Sequence, residues 1–112
     1  MSRGRVTSWT AAPRSGPPRP LVAAADDKQT CADESGNIAT AACSRAIASG
    51  RWQGRDLADI YSNRGAKYAN EGDLDRAIAD YNEAIRLDPN DADTYENRGV
   101  ARLAHRRHRR LQ

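Results

Sequence analysis

Few side chains in this 112-residue chain have the type and spacing to do chemistry, and each set is soon bounded. Cys31 and Cys43 are the only cysteines, one on each side of a turn at Asp33–Gly36. Facing one another across a helical hairpin, they would form a disulfide. The other reading has Cys43 as a small buried residue and Cys31 as an exposed thiol, and sequence alone leaves both open. With no histidine or third cysteine nearby, two ligands do not make a zinc cage. His105 and His108 stand three apart in an arginine run, without carboxylate or cysteine companions at matching positions, so they read as a solvated basic tail. The carboxylate pairs Asp73/Asp75 and Asp91/Asp93 fall where helices begin, as caps favoured by the helix dipole. There is no Gly-rich phosphate loop, nucleophile elbow or metal-ligand cluster. The expectation is no catalytic residue, no metal, no cofactor, and a chain that is not an enzyme.

Charge is segregated. The net +3 and basic pI come from the ends: residues 1–25 carry four arginines and no acid, and residues 102–112 carry five arginines. All fifteen acids lie between Asp26 and Glu96, and residues 26–101 hold only nine bases, so the middle is acidic. The chain as a whole is therefore not read as a nucleic-acid binder. Its arginine tails could touch phosphates or an anionic membrane surface through salt-sensitive, sequence-independent contacts. No aromatic residue interleaves with the arginines to stack on bases, so no specific nucleic-acid partner is expected. Sixteen arginines against two lysines suggest a GC-rich bacterial source.

The elements that must position these residues differ along the chain. Residues 1–27 hold four of the five prolines and read as a disordered Pro/Arg-rich segment, because too little apolar area is present to offset the ordering entropy. Leu21–Ala25 is too short for a signal-peptide core, although Val22–Ala25 before Asp26 resembles the small-residue end of a cleavage site. The compartment is read as periplasmic or secreted if the true N-terminus carries a signal peptide, and cytoplasmic otherwise. No transmembrane helix is expected.

Helical segments follow. Ile38–Ile47 places Ala39, Cys43, Ala46 and Ile47 on one face, and Ser49-Gly50 ends it. A loop over Arg51–Asp56 containing Trp52 leads to Leu57–Glu71, with Leu57, Ile60, Tyr61, Gly65 and Tyr68 on a stripe. Gly72-Asp73 is a tight turn with Asp73 as N-cap. Asp75–Leu87 groups Ala77, Ile78, Tyr81, Ala84 and Ile85, and Pro89 stops it. A last segment starts near Asp93 and gives way to the basic tail after Ala104.

The strongest pattern is internal. Ala58-Asp-Ile-Tyr-Ser-Asn-Arg-Gly65 recurs as Ala92-Asp-Thr-Tyr-Glu-Asn-Arg-Gly99, identical at six of eight positions and 34 residues apart. Tyr61, Gly65, Tyr68, Ala77, Tyr81, Ala84 and Pro89 stand at the offsets of the tetratricopeptide repeat, a helix–turn–helix unit of that length. The chain thus resembles tetratricopeptide (TPR) proteins of a small bacterial type, over one complete unit at 58–91. Upstream, 28–57 reads as a divergent repeat, with Ala39, Cys43 and Ala46 where Ala77, Tyr81 and Ala84 stand. Downstream, 92–104 is the first helix of a truncated unit, and 105–112 is a basic tail. The expected fold is all-α: about two and a half helix–turn–helix repeats of an α-solenoid, between a disordered N-terminal and a basic C-terminal tail. About three units are wanted for independent stability. The half-unit either caps the array or leaves Tyr95, Val100 and Leu103 exposed, which would promote self-association.

The resemblance implies a non-catalytic scaffold that binds a protein or peptide, identity unknown, in a concave groove lined by the first helix of each unit. Transferred to this chain, the groove positions are Asp59, Ser62, Asn63, Ala66 and Asn70, then Asp93, Glu96, Asn97 and Val100. Asn63 and Asn97 match an asparagine of the family that bonds either a ligand backbone or the neighbouring helix. Asp59, Asp93 and Glu96 argue against a carboxylate clamp and for a basic or polar peptide. The rival readings are a basic-tail adaptor for nucleic acid or an anionic membrane surface, and a truncated gene fragment without independent function.

Overall fold

The computed structural model describes residues 21–112, with side chains from Asp26 onward. Five helices follow in order: α1 (Leu21–Asp33), α2 (Gly36–Ala48), α3 (Gly54–Asn70), α4 (Leu74–Leu87) and α5 (Ala92–Leu111). There is no strand among the described residues. Each helix packs mainly on its neighbours in sequence, and α1 also touches α3 as α3 touches α5. That is the pattern of antiparallel helix pairs stacking into a solenoid.

Small residues let the helices approach. On α2, Ala39, Ala42, Cys43 and Ala46 are buried, as Ala77, Tyr81 and Ala84 are on α4. Cys31, Ala42, Cys43, Ala46 and Ile60 form one core cluster, flanked by Ile47 and Trp52. Leu74, Ala77, Tyr81 and Ala101 form a second, flanked by Tyr68, Ala69, Ile78 and Ala104. A Cβ at Gly65 would come within 2.9 Å of Tyr81 Cε1 and 3.2 Å of the Ala77 carbonyl oxygen. α3 and α4 approach closely here, and a residue without a side chain fits the contact.

The turn between α3 and α4 follows from two residues. Gly72 adopts φ +82, Asp73 N–H donates to the Tyr68 carbonyl at 2.9 Å, and Gly72 N–H donates to the Ala69 carbonyl at 3.0 Å. These two bonds close α3 in a Schellman motif. The Asp73 carboxylate then caps α4 by accepting from Arg76 N–H.

Three boundaries differ from the sequence reading. The disordered segment expected over 1–27 lies outside the described residues up to residue 20, and α1 is helical from Leu21. The loop expected over Arg51–Asp56 is shorter, because α3 begins at Gly54 and carries Asp56 in its first turn, where a carboxylate complements the helix dipole. The basic stretch 105–112 continues α5 to Leu111. Arginine is a good helix former, and His108, Arg109 and Arg110 occupy the last turn, where positive charge is favoured. His105 Nε2 also lies 2.9 Å from Asp75 Oδ1, bringing that stretch against α4.

Candidate functional site

The expected groove residues come from α3 and α5. Asp59, Ser62, Asn63, Asp93 and Asn97 line one cleft of about 410 Å³, together with Lys28 and Ala32 from α1 and Asp91 from the turn before α5. Ala66, Asn70, Asn97 and Val100 line an adjoining cleft of about 300 Å³, floored by Leu74, Tyr81 and Ala101. Asn97 borders both clefts on the α3–α5 face. Glu96 is exposed on α5 and lines neither cleft.

The first cleft is acidic at its base. Burial raises the Asp59 carboxyl above its ordinary value of 3.8; Lys28 draws it back down, while Asp91, Asp56 and Asp88 push it further up. Asp91 is held in place by capping: its carboxylate accepts from Asp93 N–H at 3.0 Å and from Thr94 Oγ1 at 3.0 Å. Thr94 is buried and shares a 3.1 Å hydrogen bond with Ser62 across the two helices. Ser62 therefore spends its hydroxyl on joining α3 to α5. The side-chain amides of Asn63, Asn70 and Asn97 make no hydrogen bond within the described residues. Lys28 stands at one rim with its ammonium 5.3 Å from the Trp52 ring centroid.

Behind the groove a polar tie sets the spacing of three helices. Arg64, on α3, holds both Asp80 carboxylate oxygens at 2.8 Å and donates to Ser44 Oγ of α2 at 3.1 Å. Its guanidinium also lies over the rings of Tyr61 and Tyr68. Asp80 is 5% exposed, so this pair is largely withdrawn from water. Sequence reasoning passed over Arg64 and Asp80, although Arg64 and Arg98 recur 34 residues apart inside the repeat. It also left Lys28 and Asp91 out of the groove. Asp91 carried a signal as an N-cap, whereas Lys28 reaches the cleft only through the crossing of α1 over α3.

Cys31 and Cys43 are joined by a disulfide linking α1 to α2 across twelve residues. Both are fully buried against Ile60. Among the described residues no group of His, Cys, Asp and Glu is arranged to hold a metal ion, and no helix is long and apolar enough to cross a membrane.

Helix pairs stacked in sequence, with clefts between α3 and α5, define an all-α helical-repeat protein. Residues 65–105, from the second half of α3 across α4 into α5, match the family model described as TPR repeat. Over that stretch the chain is of the tetratricopeptide-repeat type, which suggests a protein–protein interaction module. No curated protein matches the chain, and no solved structure matches it.

Proposed function

We propose that the chain is a non-catalytic scaffold that binds an extended basic or polar peptide along the α3–α5 groove. The observation that carries this reading is the pairing of a burial-raised Asp59, set among Asp56, Asp88 and Asp91, with unengaged amides on Asn63 and Asn97. Carboxylates in a partly dry cleft attract cations more strongly than they would in bulk water. Free amides beside them present both donors and acceptors to a peptide backbone. The disulfide supports an oxidising compartment, periplasmic or extracellular.

The test is fluorescence anisotropy with a labelled octapeptide alternating lysine and serine, titrated with the full chain. Asp59→Lys with Asp93→Lys is expected to weaken binding by about tenfold or more, equal to roughly 1.4 kcal/mol. An unchanged affinity would remove the groove from consideration. A second reading rests on α5 running as helix to Leu111, which places Arg106, Arg107, Arg109 and Arg110 on an exposed helical end. Binding of anionic vesicles that collapses with added salt, and is lost when these four become glutamine, would favour it.

A further inference from the structure

The repeat places the same residues in two different environments. On α3, Arg64 and Gly65 meet α4 while Asn63 lines the cleft; on α5, Asn97-Arg98-Gly99 repeats the triplet 34 residues later. At Gly65 an added Cβ would meet Tyr81 at 2.9 Å, and at Gly99 it would meet nothing within 4 Å. The flanking apolar groups follow suit: Tyr95 is 42% exposed, where its equivalent Tyr61 is half-buried, and Leu103 is 49% exposed.

The two arginines carry the comparison further. Arg64 reaches back to Ser44 on α2 and forward to Asp80 on α4. Arg98 reaches back to Asn82 on α4 at 2.7 Å, and Asn82 holds the position in its unit that Ser44 holds one unit earlier. Forward of Arg98, no carboxylate pairs with it among the described residues. The outer face of α5 is thus formed as the receiving surface for a helix of α4 chemistry.

We propose that Tyr95, Arg98, Gly99, Arg102 and Leu103 dock an acidic amphipathic helix of a partner protein. That helix carries a small residue, an acid and an aromatic at the spacing of Ala77, Asp80 and Tyr81. The small residue and the aromatic straddle Gly99, and the acid takes the forward side of Arg98. Charge selects this occupant. A second copy approaching through its own α5 would set Arg98, Arg102 and Arg106 against their counterparts, and its α4 face is already buried beneath α3. Residues 1–20 bring four more arginines and no acid. A separate acidic helix meets neither objection.

The probe is a labelled synthetic peptide of residues 73–89, which carries five acids and two arginines and contains the required triplet. Titrated with the oxidised full chain, it is expected to bind saturably, with Gly99→Ala weakening it by about tenfold or more. In the free protein Gly99→Ala is expected to raise Tm, so lost binding cannot be lost folding. Arg98→Gln in the chain and Asp80→Asn in the peptide should each weaken binding, and the two together no more than either alone. Asp59→Lys with Asp93→Lys should leave this peptide's binding undiminished, which separates the face from the groove. Failure to bind, or binding indifferent to Gly99→Ala, overturns the proposal. A concentration-dependent dimer in sedimentation that Gly99→Ala abolishes also overturns it, in favour of a second copy.

Discussion

At the scale of single residues, the instructive pair is Gly65 and Gly99, alike in sequence and opposite in consequence. Gly65→Ala must push Tyr81 aside and approach the Ala77 carbonyl, so a loss of about 1–3 kcal/mol is expected from denaturant unfolding. Gly99→Ala meets open space on an exposed helical surface and should gain about 1 kcal/mol from helix propensity alone. The Arg64–Asp80 pair makes a second prediction. Asp80→Ala strands a guanidinium that is 20% exposed and should cost about 3 kcal/mol, while the double variant Arg64→Leu, Asp80→Leu should recover much of that loss. Comparing the urea midpoints of the single and double variants checks it. Asp59 offers a third test with a definite sign. Its carboxyl is raised in the folded state, so its contribution to stability is present below the ordinary value of 3.8 and is lost as pH rises through the folded value. Asp59→Asn is therefore expected to have the higher Tm at pH 7, with the advantage vanishing below that ordinary value. A difference constant with pH would mean that the carboxyl is not held up by its surroundings.

At the scale of elements, α1 and α2 meet through small residues, Cys31, Ala42, Cys43 and Ala46. Where α3 and α4 have Tyr81 beside Gly65, α2 offers Cys43, and the disulfide to Cys31 supplies the hold that an aromatic side chain gives in the next unit. Closing a loop of twelve residues should contribute about 2–4 kcal/mol. Reduction is thus expected to lower Tm by more than ten degrees or so, by the usual conversion for a domain of this size. The buried Asp27 and the half-exposed Arg45 add an ion pair at 3.0 Å between the same two helices. The hairpin's location in the chain was legible from alanine spacing. Its N-terminal extent was not, because Leu21–Ala25 lacks any amphipathic contrast and follows directly on prolines.

For the molecule as a whole, stability is a sum of neighbour contacts, since each helix pair meets only the pairs beside it. In a Trp9→Phe background, Trp52 reports on the α1–α2 cluster while far-ultraviolet dichroism reports on every helix. The oxidised chain should show coincident transitions by the two signals. After reduction the Trp52 signal should melt first, since the loss falls on one end of the array. Coincidence in both states would mean that the chain unfolds as one unit regardless of the staple. The same neighbour logic explains the two faces of α5: the inner one buries Thr94 and Ala101 against α3 and α4, and the outer one leaves Tyr95, Gly99 and Leu103 uncovered among the described residues.

Sequence by itself determined the repeat length, the turn at Gly72-Asp73, the stop at Pro89 and the set of small residues at helix crossings. Each of these is local: it depends on a backbone angle, a cap, or a periodicity visible within one unit. It also pointed to most of the residues that line the clefts between α3 and α5, because Ala58–Gly65 and Ala92–Gly99 are nearly identical. Tertiary structure alone decided what crosses between units. It put Lys28 of α1 at the rim of the cleft, spent Ser62 on Thr94, and left Glu96 outside. It gave Arg64 a buried acid and Arg98 an open side. The reason is that identical triplets acquire different meanings according to which helix packs on them, and packing across 16 to 35 residues is not written in any one segment.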